Sequence, residues 1–139
     1  MWHNRFFRLA VEASAWSKDP ECKVGAVLVS PDMRMFSVGY NGFPKGIHDY
    51  PRRLANPDVK LALTIHAEAN AILNAKQDLA GWSMYVTKPP CLSCALMIVQ
   101  AGISLVYCPK PLASSSWYKN NFSALSALRE ADVAILNPN

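Results

Sequence analysis

The sequence predicts an α/β fold built on a mixed sheet of five strands with helices packed against it. Two apolar runs at residues 24–30 and 35–40 are separated by a four-residue turn that contains Pro31 and Asp32, which predicts an antiparallel hairpin. After residue 60, helical patterns alternate with short apolar runs, which predicts parallel strands joined by helical crossovers. The 139 residues are 51% hydrophobic and 17% charged, which is typical of one folded domain, here over residues 1–139.

The first 60 residues predict one helix, the hairpin and a long loop. Residues 5–16 have the periodicity of an amphipathic helix that ends before Asp19-Pro20. Residues 41–60 contain three prolines and two glycines, so we predict an irregular loop, and a loop this long in a small domain is often functional. The apolar residues that we expect on the buried face of the helix are Phe6, Leu9, Ala10, Ala13 and Trp16.

The remaining elements follow from the same two periodicities. In chain order we predict a helix over 66–77, a strand from Trp82 or Met84 to Thr87, a helix over 91–101 closed by Gly102, a strand over 103–108, a loop over 109–116, a helix over 117–130 and a strand over 132–136. No repeat or linker interrupts this order.

Composition excludes several classes of protein. The net charge of +4 is mild, and the basic residues form no continuous run, so we expect no stable complex with nucleic acid. No apolar stretch approaches the ~18 residues needed to span a membrane, and the first residues do not resemble a signal peptide. Two of the four cysteines have metal-ligand spacing, so we expect a reducing, cytoplasmic location, with Cys22 and Cys108 as small buried or half-buried residues.

Three short segments together predict a metal site. His66 and Glu68 form an H-x-E motif, and Cys91 and Cys94 form a P-C-x-x-C motif that begins at Pro90, with 24 residues (67–90) between His66 and Cys91. This set resembles the ligand signature of the zinc deaminases. His66, Cys91 and Cys94 would hold one Zn²⁺ per chain and leave a fourth tetrahedral position for water. Because His66 and Cys91 both start predicted helices, we expect two helix N-termini to converge on the metal.

Glu68 is the candidate catalytic residue. Two positions after a ligand, its carboxylate can face the open metal position and move protons between water and substrate. Taken singly, a glutamate at a helix N-terminus is a favourable surface residue, and a C-x-x-C pair can belong to a structural zinc site or a redox dithiol. A structural site would need a fourth ligand, and the remaining candidates lie in no paired motif: His3, Cys22, His48 and Cys108.

Further motifs make the whole chain similar to the deoxycytidylate (dCMP) deaminase family of the cytidine deaminase superfamily. They are Ser17-Lys18-Asp19-Pro20, Lys23-Val24-Gly25-Ala26, Gly39-Tyr40-Asn41-Gly42-Phe43-Pro44-Lys45-Gly46, and the segments around His66 and Cys91. The resemblance implies a three-layer α-β-α fold and hydrolysis of dCMP to dUMP and ammonia, which supplies dUMP for thymidylate synthesis. It also implies a homo-oligomer and regulation by dCTP and dTTP, with Mg²⁺ as a candidate companion of a triphosphate effector.

The same resemblance suggests which residues contact ligands. The candidate substrate contacts are Asn41, the backbone N–H of Ala67, the carbonyl groups near Pro89 and Pro90, and the aromatic residues Trp117 and Tyr118. The candidate effector or phosphate contacts are Lys18, Gly39, Tyr40, Gly42, Lys45, Arg52, Arg53 and Lys119. The Pro89 and Pro90 carbonyls are predicted to lack competing donors. From the residues alone, Asn41-Gly42 is also compatible with a simple turn, and each basic residue with a solvated surface charge.

Other substrates stay open at this point. A deaminase of dCTP or of a modified dCMP would carry the same zinc motif, because the walls of the substrate pocket lie in loops 41–60 and 109–118. A deaminase of RNA or DNA would need a continuous basic face with exposed aromatic side chains, and Trp117-Tyr118-Lys119 alone is too little for that.

Overall fold

A five-stranded sheet forms the centre of the molecule, as seen in a computed structural model that describes residues 1–139. The strands are β1 (Gly25–Val29), β2 (Phe36–Tyr40), β3 (Ser83–Val86), β4 (Leu105–Tyr107) and β5 (Ala134–Leu136). The helices are α1 (Trp2–Ser14), α2 (Pro51–Leu54), α3 (Pro57–Leu63), α4 (Ala67–Ala75), α5 (Leu92–Gln100) and α6 (Tyr118–Glu130).

The sheet is mixed, as predicted. Its strand order is β2-β1-β3-β4-β5. β1 pairs antiparallel with β2 and with β3, whereas β3–β4 and β4–β5 are parallel. The two parallel pairs are connected through α5 and α6, as the alternating pattern after residue 60 predicts.

Helices cover both faces of the sheet, which confirms the three-layer α-β-α architecture. On one face α1 packs over β1, β3 and β4 in a small core of Phe6, Ala10, Val27, Val29, Tyr85 and Tyr107. On the other face α4, α5 and α6 bury the main core, to which they contribute small and branched side chains. These include Ala67, Ala71, Ala95, Ile98, Ala124, Leu125 and Leu128. The metal-site motifs belong to this second face.

Two predictions about the first 60 residues are wrong in detail. Of the five residues expected on the buried face of α1, Phe6, Ala10 and Ala13 are buried, but Leu9 and Trp16 are about half exposed. Trp16 is exposed because α1 ends before it, at Ser14, and the buried stripe of the helix is narrower than its apolar stripe because it does not include Leu9.

The loop predicted over 41–60 contains α2 and most of α3. Each of these helices has proline at its first turn, Pro51 in α2 and Pro57 in α3, where the missing N–H costs nothing. The side chain of Asn56 accepts hydrogen bonds from the N–H groups of Asp58 and Val59 and so caps α3.

None of the helices combines the length and the hydrophobicity that crossing a lipid bilayer requires.

Candidate metal centre and active site

His66 is placed by the start of α4. It occupies the N-cap position of this helix, and its side chain makes no capping hydrogen bond, so the ring is free to face elsewhere. The residue before it, Ile65, is paired with Gly42 through two backbone hydrogen bonds of 2.8 and 3.1 Å. This bridge ties the start of α4 to the loop after β2 and fixes the direction from which His66 enters the site.

Cys91 and Cys94 are placed by the start of α5. Cys91 is the N-cap residue and Cys94 lies in the first turn, so both sulfurs are on the same side of the helix. Each Sγ lies 3.4 Å from His66 Nδ1. The predicted convergence of two helix N-termini is confirmed, and in both helices a predicted metal ligand occupies the capping position.

The donor set fits a zinc ion. The ligand atoms of His66, Cys91 and Cys94 lie within 4.8 Å of one another, and these residues form the one such group of His, Cys, Asp and Glu in the chain. One imidazole nitrogen and two sulfurs are ligands that Zn²⁺ prefers, and three protein ligands leave a position for water. The two cysteines are free thiols and not a disulfide, as metal binding requires.

Electrostatics in the ligand cluster favour a cation. In the protein without a metal, the Cys94 thiol donates a hydrogen bond to the Cys91 sulfur, and the His66 imidazole lies beside it. Together they lower the pKa of Cys91 to about 4, although burial alone would raise it. The pKa of Cys94 is raised, because its proton is held by Cys91 and its sulfur is buried near Glu68. Cys91 in turn raises the pKa of His66. These interactions favour the thiolate form of Cys91, which is the form that binds a metal ion.

Glu68 is a buried acid beside the ligands. It lies in the first turn of α4 and is only 4% exposed. Burial raises the pKa of its carboxyl to about 7, although its own backbone N–H and the nearby His66 and Cys94 side chains favour the ionised form. A carboxyl with a pKa near 7 can both take and release a proton at neutral pH.

The Pro89-Pro90 segment departs from the prediction that its carbonyl groups lack competing donors. Asn121 of α6 is buried, and its Nδ2 donates to the oxygen of Pro90 at 2.9 Å and to that of Pro89 at 3.3 Å. The adjacent Asn120 accepts a 2.9 Å hydrogen bond at Oδ1 from the N–H of Leu92. Neither asparagine is predictable from the sequence, because both lie about 30 positions from the segment they contact and belong to no known motif.

Two of the other candidate substrate contacts are Asn41, directly after the end of β2, and Ala67, the first residue of α4. Asn41 is buried; its Oδ1 accepts from the N–H of Val24 and its Nδ2 donates to the carbonyl of Cys22, both at 2.8 Å. Its amide therefore connects the end of β2 to the segment just before β1, and a simple turn would not need these hydrogen bonds. Ala67 is fully buried at the first position of α4, where its N–H has no acceptor within the helix.

Several candidate effector contacts meet in a cavity of about 310 Å³ beside the loop after β2. Lys18, Tyr40, Gly42 and Lys45 line it, together with Asp19, Asn41 and Lys60. The metal ligands and Glu68 are not part of its lining, so the cavity is separate from the metal centre. Gly39, Arg52 and Arg53 also lie outside it.

Three of the basic candidates, Lys18, Arg52 and Arg53, contact other side chains of the protein. Lys18 forms an exposed 2.7 Å ion pair with Asp49. The guanidinium groups of Arg52 and Arg53 flank the ring of Tyr50 at 4.7 and 5.4 Å.

Trp117 is 44% exposed at the start of α6, where Tyr118 and Lys119 border a shallow surface depression with Phe122.

The two remaining cysteines differ in their exposure to solvent. Cys22 is exposed, contrary to the expectation of a buried or half-buried residue, whereas Cys108 is fully buried in the main core. Burial and the nearby Glu68 raise the pKa of Cys108 to about 12.

Comparison with known proteins assigns the family. A family model described as the cytidine and deoxycytidylate deaminase zinc-binding region matches residues 1–110. This chain belongs to that family. A protein of Aliivibrio fischeri, an uncharacterized deaminase in the luxG 3' region, is 48% identical over 109 residues, which cover 78% of this chain and 73% of the relative. The Homo sapiens deoxycytidylate deaminase is 40% identical over 111 residues, which cover 76% of this chain and 62% of the human protein.

Solved structures agree with the fold described above. The dCMP deaminase of the cyanophage S-TIM5 in its apo form superposes with a TM-score of 0.77 at 25% identity, covering 99% of this chain and 97% of the phage protein. The α/β fold with its five-stranded mixed sheet is thus that of a cytidine and deoxycytidylate deaminase.

Proposed function

We propose that this chain catalyses the zinc-dependent hydrolysis of dCMP to dUMP and ammonia, and so supplies dUMP for thymidylate synthesis. The observation that carries this proposal is the buried carboxyl of Glu68 beside His66 Nδ1 and the sulfurs of Cys91 and Cys94. Such a site combines a place for a Lewis-acidic metal with a proton carrier. The choice of dCMP rests on the human and S-TIM5 relatives, both of which are dCMP deaminases by name.

The protein groups divide the reaction between them. Bound at this site, Zn²⁺ supplies the Lewis acidity that brings the pKa of a water molecule toward ~7. Glu68 accepts a proton from the attacking water and delivers it to the ring nitrogen N3 of cytosine. The water oxygen adds to C4, and Glu68 then moves the remaining proton of that hydroxyl to the exocyclic amine, so that the C4–N bond breaks, ammonia leaves and the C4 carbonyl forms. The N–H of Ala67 would donate to a substrate carbonyl, since it has no acceptor within α4, and the Pro90 carbonyl would accept from the amine through the lone pair that Asn121 does not use.

A substrate panel tests the proposal. Ammonia release is measured with dCMP, dCDP, dCTP, deoxycytidine, cytidine and single-stranded DNA, and a Glu68→Ala preparation purified in the same way sets the background. We expect the highest kcat/KM with dCMP. A preference for dCTP or another cytosine nucleotide would support deaminase activity but contradict dCMP as the substrate. A preference for deoxycytidine or DNA would contradict the proposal as a whole.

We also propose that the 310 Å³ cavity binds a nucleotide effector, with dCTP activating and dTTP inhibiting and Mg²⁺ accompanying the triphosphate. Lys18, Lys45 and Lys60 line this cavity together with Asp19 and Asp49. Lys18 and Lys60 are paired with these carboxylates, so Lys45 is the lysine whose charge is free to attract an anionic ligand. The assay is repeated over a range of dCTP and dTTP concentrations. Curves that do not respond to either nucleotide would contradict regulation through this cavity.

The remaining parts of the proposal concern the protein in the cell. We propose that residues 1–139 work as one catalytic domain, assembled as a homo-oligomer in the cytoplasm. Four free thiols support a reducing compartment. Light scattering on the purified protein tests the assembly.

A further inference from the structure

The cysteine segment of the metal site is held by two adjacent asparagines of another helix. Asn120 Oδ1 accepts from the N–H of Leu92 at 2.9 Å, directly after Cys91. Asn121 Nδ2 donates to the carbonyl oxygens of Pro90 and Pro89 at 2.9 and 3.3 Å, directly before Cys91. These bonds enclose Cys91 on both sides, and Asn121 is only 6% exposed.

The segment around Cys91 needs these hydrogen bonds because its own side chains do not supply them. Cys91 is the N-cap of α5, but its side chain makes no capping hydrogen bond and its sulfur faces His66 instead. An ordinary N-cap side chain would accept from the first turn of the helix. Pro89 and Pro90 lie between β3 and α5, and no backbone N–H donates to their carbonyl groups, so these groups depend on a side chain for a hydrogen bond. Asn120 takes over the capping role, and Asn121 holds the two carbonyl groups.

We propose that Asn120 and Asn121 are positioning residues that keep Cys91 and Cys94 in metal-binding geometry, with opposite chemical requirements. Position 120 needs a hydrogen-bond acceptor, because its partner is an N–H group. Position 121 needs a donor, because both of its partners are carbonyl oxygens. The partners alone decide which end of each amide faces them. This proposal depends on the metal site and not on the identity of the substrate.

The same substitution at the two neighbouring positions tests it. Asn120→Asp keeps an acceptor and adds negative charge at a helix N-terminus, which is favourable. Asn121→Asp removes the donor and turns a carboxylate toward two carbonyl oxygens. The zinc-loaded proteins are mixed with an excess of a coloured zinc chelator, without any nucleotide, and the rate of zinc release is followed. We expect Asn121→Asp to release zinc at least about 10-fold faster than the wild type, because residues that orient metal ligands typically contribute 10–100-fold to affinity.

Asn120→Asp should release zinc within about twofold of the wild-type rate, whereas Asn120→Ala, which has no acceptor, should release it several-fold faster. Equal rates for Asn120→Asp and Asn121→Asp, whether both slow or both fast, would overturn the proposal. If Asn121→Asp does not fold, Asn121→Ala takes its place, and a wild-type release rate in that variant would overturn the proposal in the same way.

A variant of the main core separates positioning from general stability. Leu128 lies on α6 about two turns beyond Asn121 and is fully buried, away from the cysteine segment. Leu128→Ala should lower the thermal unfolding midpoint, while zinc release well below that midpoint stays at the wild-type rate. Fast zinc release from Leu128→Ala, matching that of Asn121→Asp, would assign the effect to stability alone and overturn the proposal.

Discussion

Gly39 of β2 lies directly against Ala67 at the start of α4. A Cβ placed on Gly39 would come within 2.3 Å of the carbonyl oxygen of Ala67 and of the N atom of Ala71. Both atoms belong to the backbone, so no side-chain movement can relieve the clash. Because α4 carries His66 at its N-cap and Glu68 in its first turn, this close approach sets the distance between the sheet and the metal site. Gly39, a candidate effector contact by sequence, therefore has a packing role.

Gly39→Ala should destabilise the protein and displace α4. Overpacking a tight contact typically costs 1–3 kcal/mol, so we expect the free energy of unfolding in urea to fall by about that amount or more. Gly42→Ala is the matched control, since a Cβ at Gly42 would meet nothing within 4 Å and this change should cost less than about 0.5 kcal/mol. Equal losses in the two variants would contradict the role assigned to Gly39.

Glu68→Gln should abolish most of the turnover without releasing the metal. The amide has nearly the same volume as the carboxyl but cannot accept and deliver protons, and loss of a proton carrier typically costs 10²–10⁴-fold. Because Glu68 serves several transfers, we expect a fall of at least about 10³-fold in kcat. Zinc content, measured by elemental analysis, should stay near that of the wild type. Glu12→Gln, an exposed change in α1, serves as control. Substantial activity in Glu68→Gln would remove this residue from the mechanism.

Asp19 and Lys60 form an ion pair of 3.0 Å that is largely shielded from solvent, with 9% and 15% of their side chains exposed. Burial alone would raise the pKa of Asp19, but donation from the N–H groups of Cys22 and Glu21 and from Lys60 outweighs it and holds this pKa below its ordinary value. A lowered pKa means that the folded state prefers the ionised carboxylate. The stabilisation is therefore complete well above the ordinary aspartate pKa of 3.8 and is lost as the pH falls through the lowered pKa.

Asp19→Asn should accordingly be less stable than the wild type at pH 7, by about 1 kcal/mol for a hydrogen-bonded charge near the surface. The difference should shrink as the pH falls through the lowered pKa, below which Asp19 is protonated in both the folded and the unfolded state. Urea unfolding at a series of pH values measures it. Asp49→Asn, which breaks the exposed pair with Lys18, should have a smaller effect. A difference that stays constant from pH 7 to pH 2 would show that the charge of Asp19 is irrelevant.

The four cysteines should react in a defined order with a thiol-alkylating reagent. Cys22 is exposed and should be modified first, with or without metal. Cys91 and Cys94 should become reactive only after a chelator has removed the zinc. Cys108, fully buried and with its pKa raised to about 12, should react only on unfolding. Mass spectrometry of the modified peptides reads out the order, and rapid modification of Cys91 in the zinc-loaded protein would argue against its role as a ligand.

The sheet and the metal ligands are predictable from the sequence because both depend on local patterns. Short Val-rich runs separated by turns mark the strands, and the spacing within H-x-E and P-C-x-x-C places His66, Cys91 and Cys94 at helix starts. The short helices α2 and α3 are less visible, since Pro51 and Pro57 can either break a helix or begin one. The exposure of Leu9 could not be foreseen, because periodicity identifies an apolar face but not how much of it is covered, and Trp16 is exposed because the helix ends at Ser14 and not at the predicted residue 16.

Long-range polar contacts are the part that the sequence does not reveal. Asn120 and Asn121 reach the cysteine segment from α6, about 30 positions away, and an asparagine in a helix carries no local signal of its partner. The buried pair of Asp19 and Lys60 spans 41 positions in the same way. Such contacts depend on how the layers pack, which is decided by the whole core.

X-ray absorption at the zinc edge tests the central claim most directly. We predict one zinc per chain with two sulfur ligands at about 2.3 Å and two lighter ligands at about 2.0–2.1 Å, an imidazole nitrogen and a water oxygen. The Cys91→Ser variant should lose one sulfur from this shell. A third sulfur or a second imidazole in the wild-type spectrum would mean that protein side chains fill all four positions, and would contradict a catalytic zinc held by His66, Cys91 and Cys94.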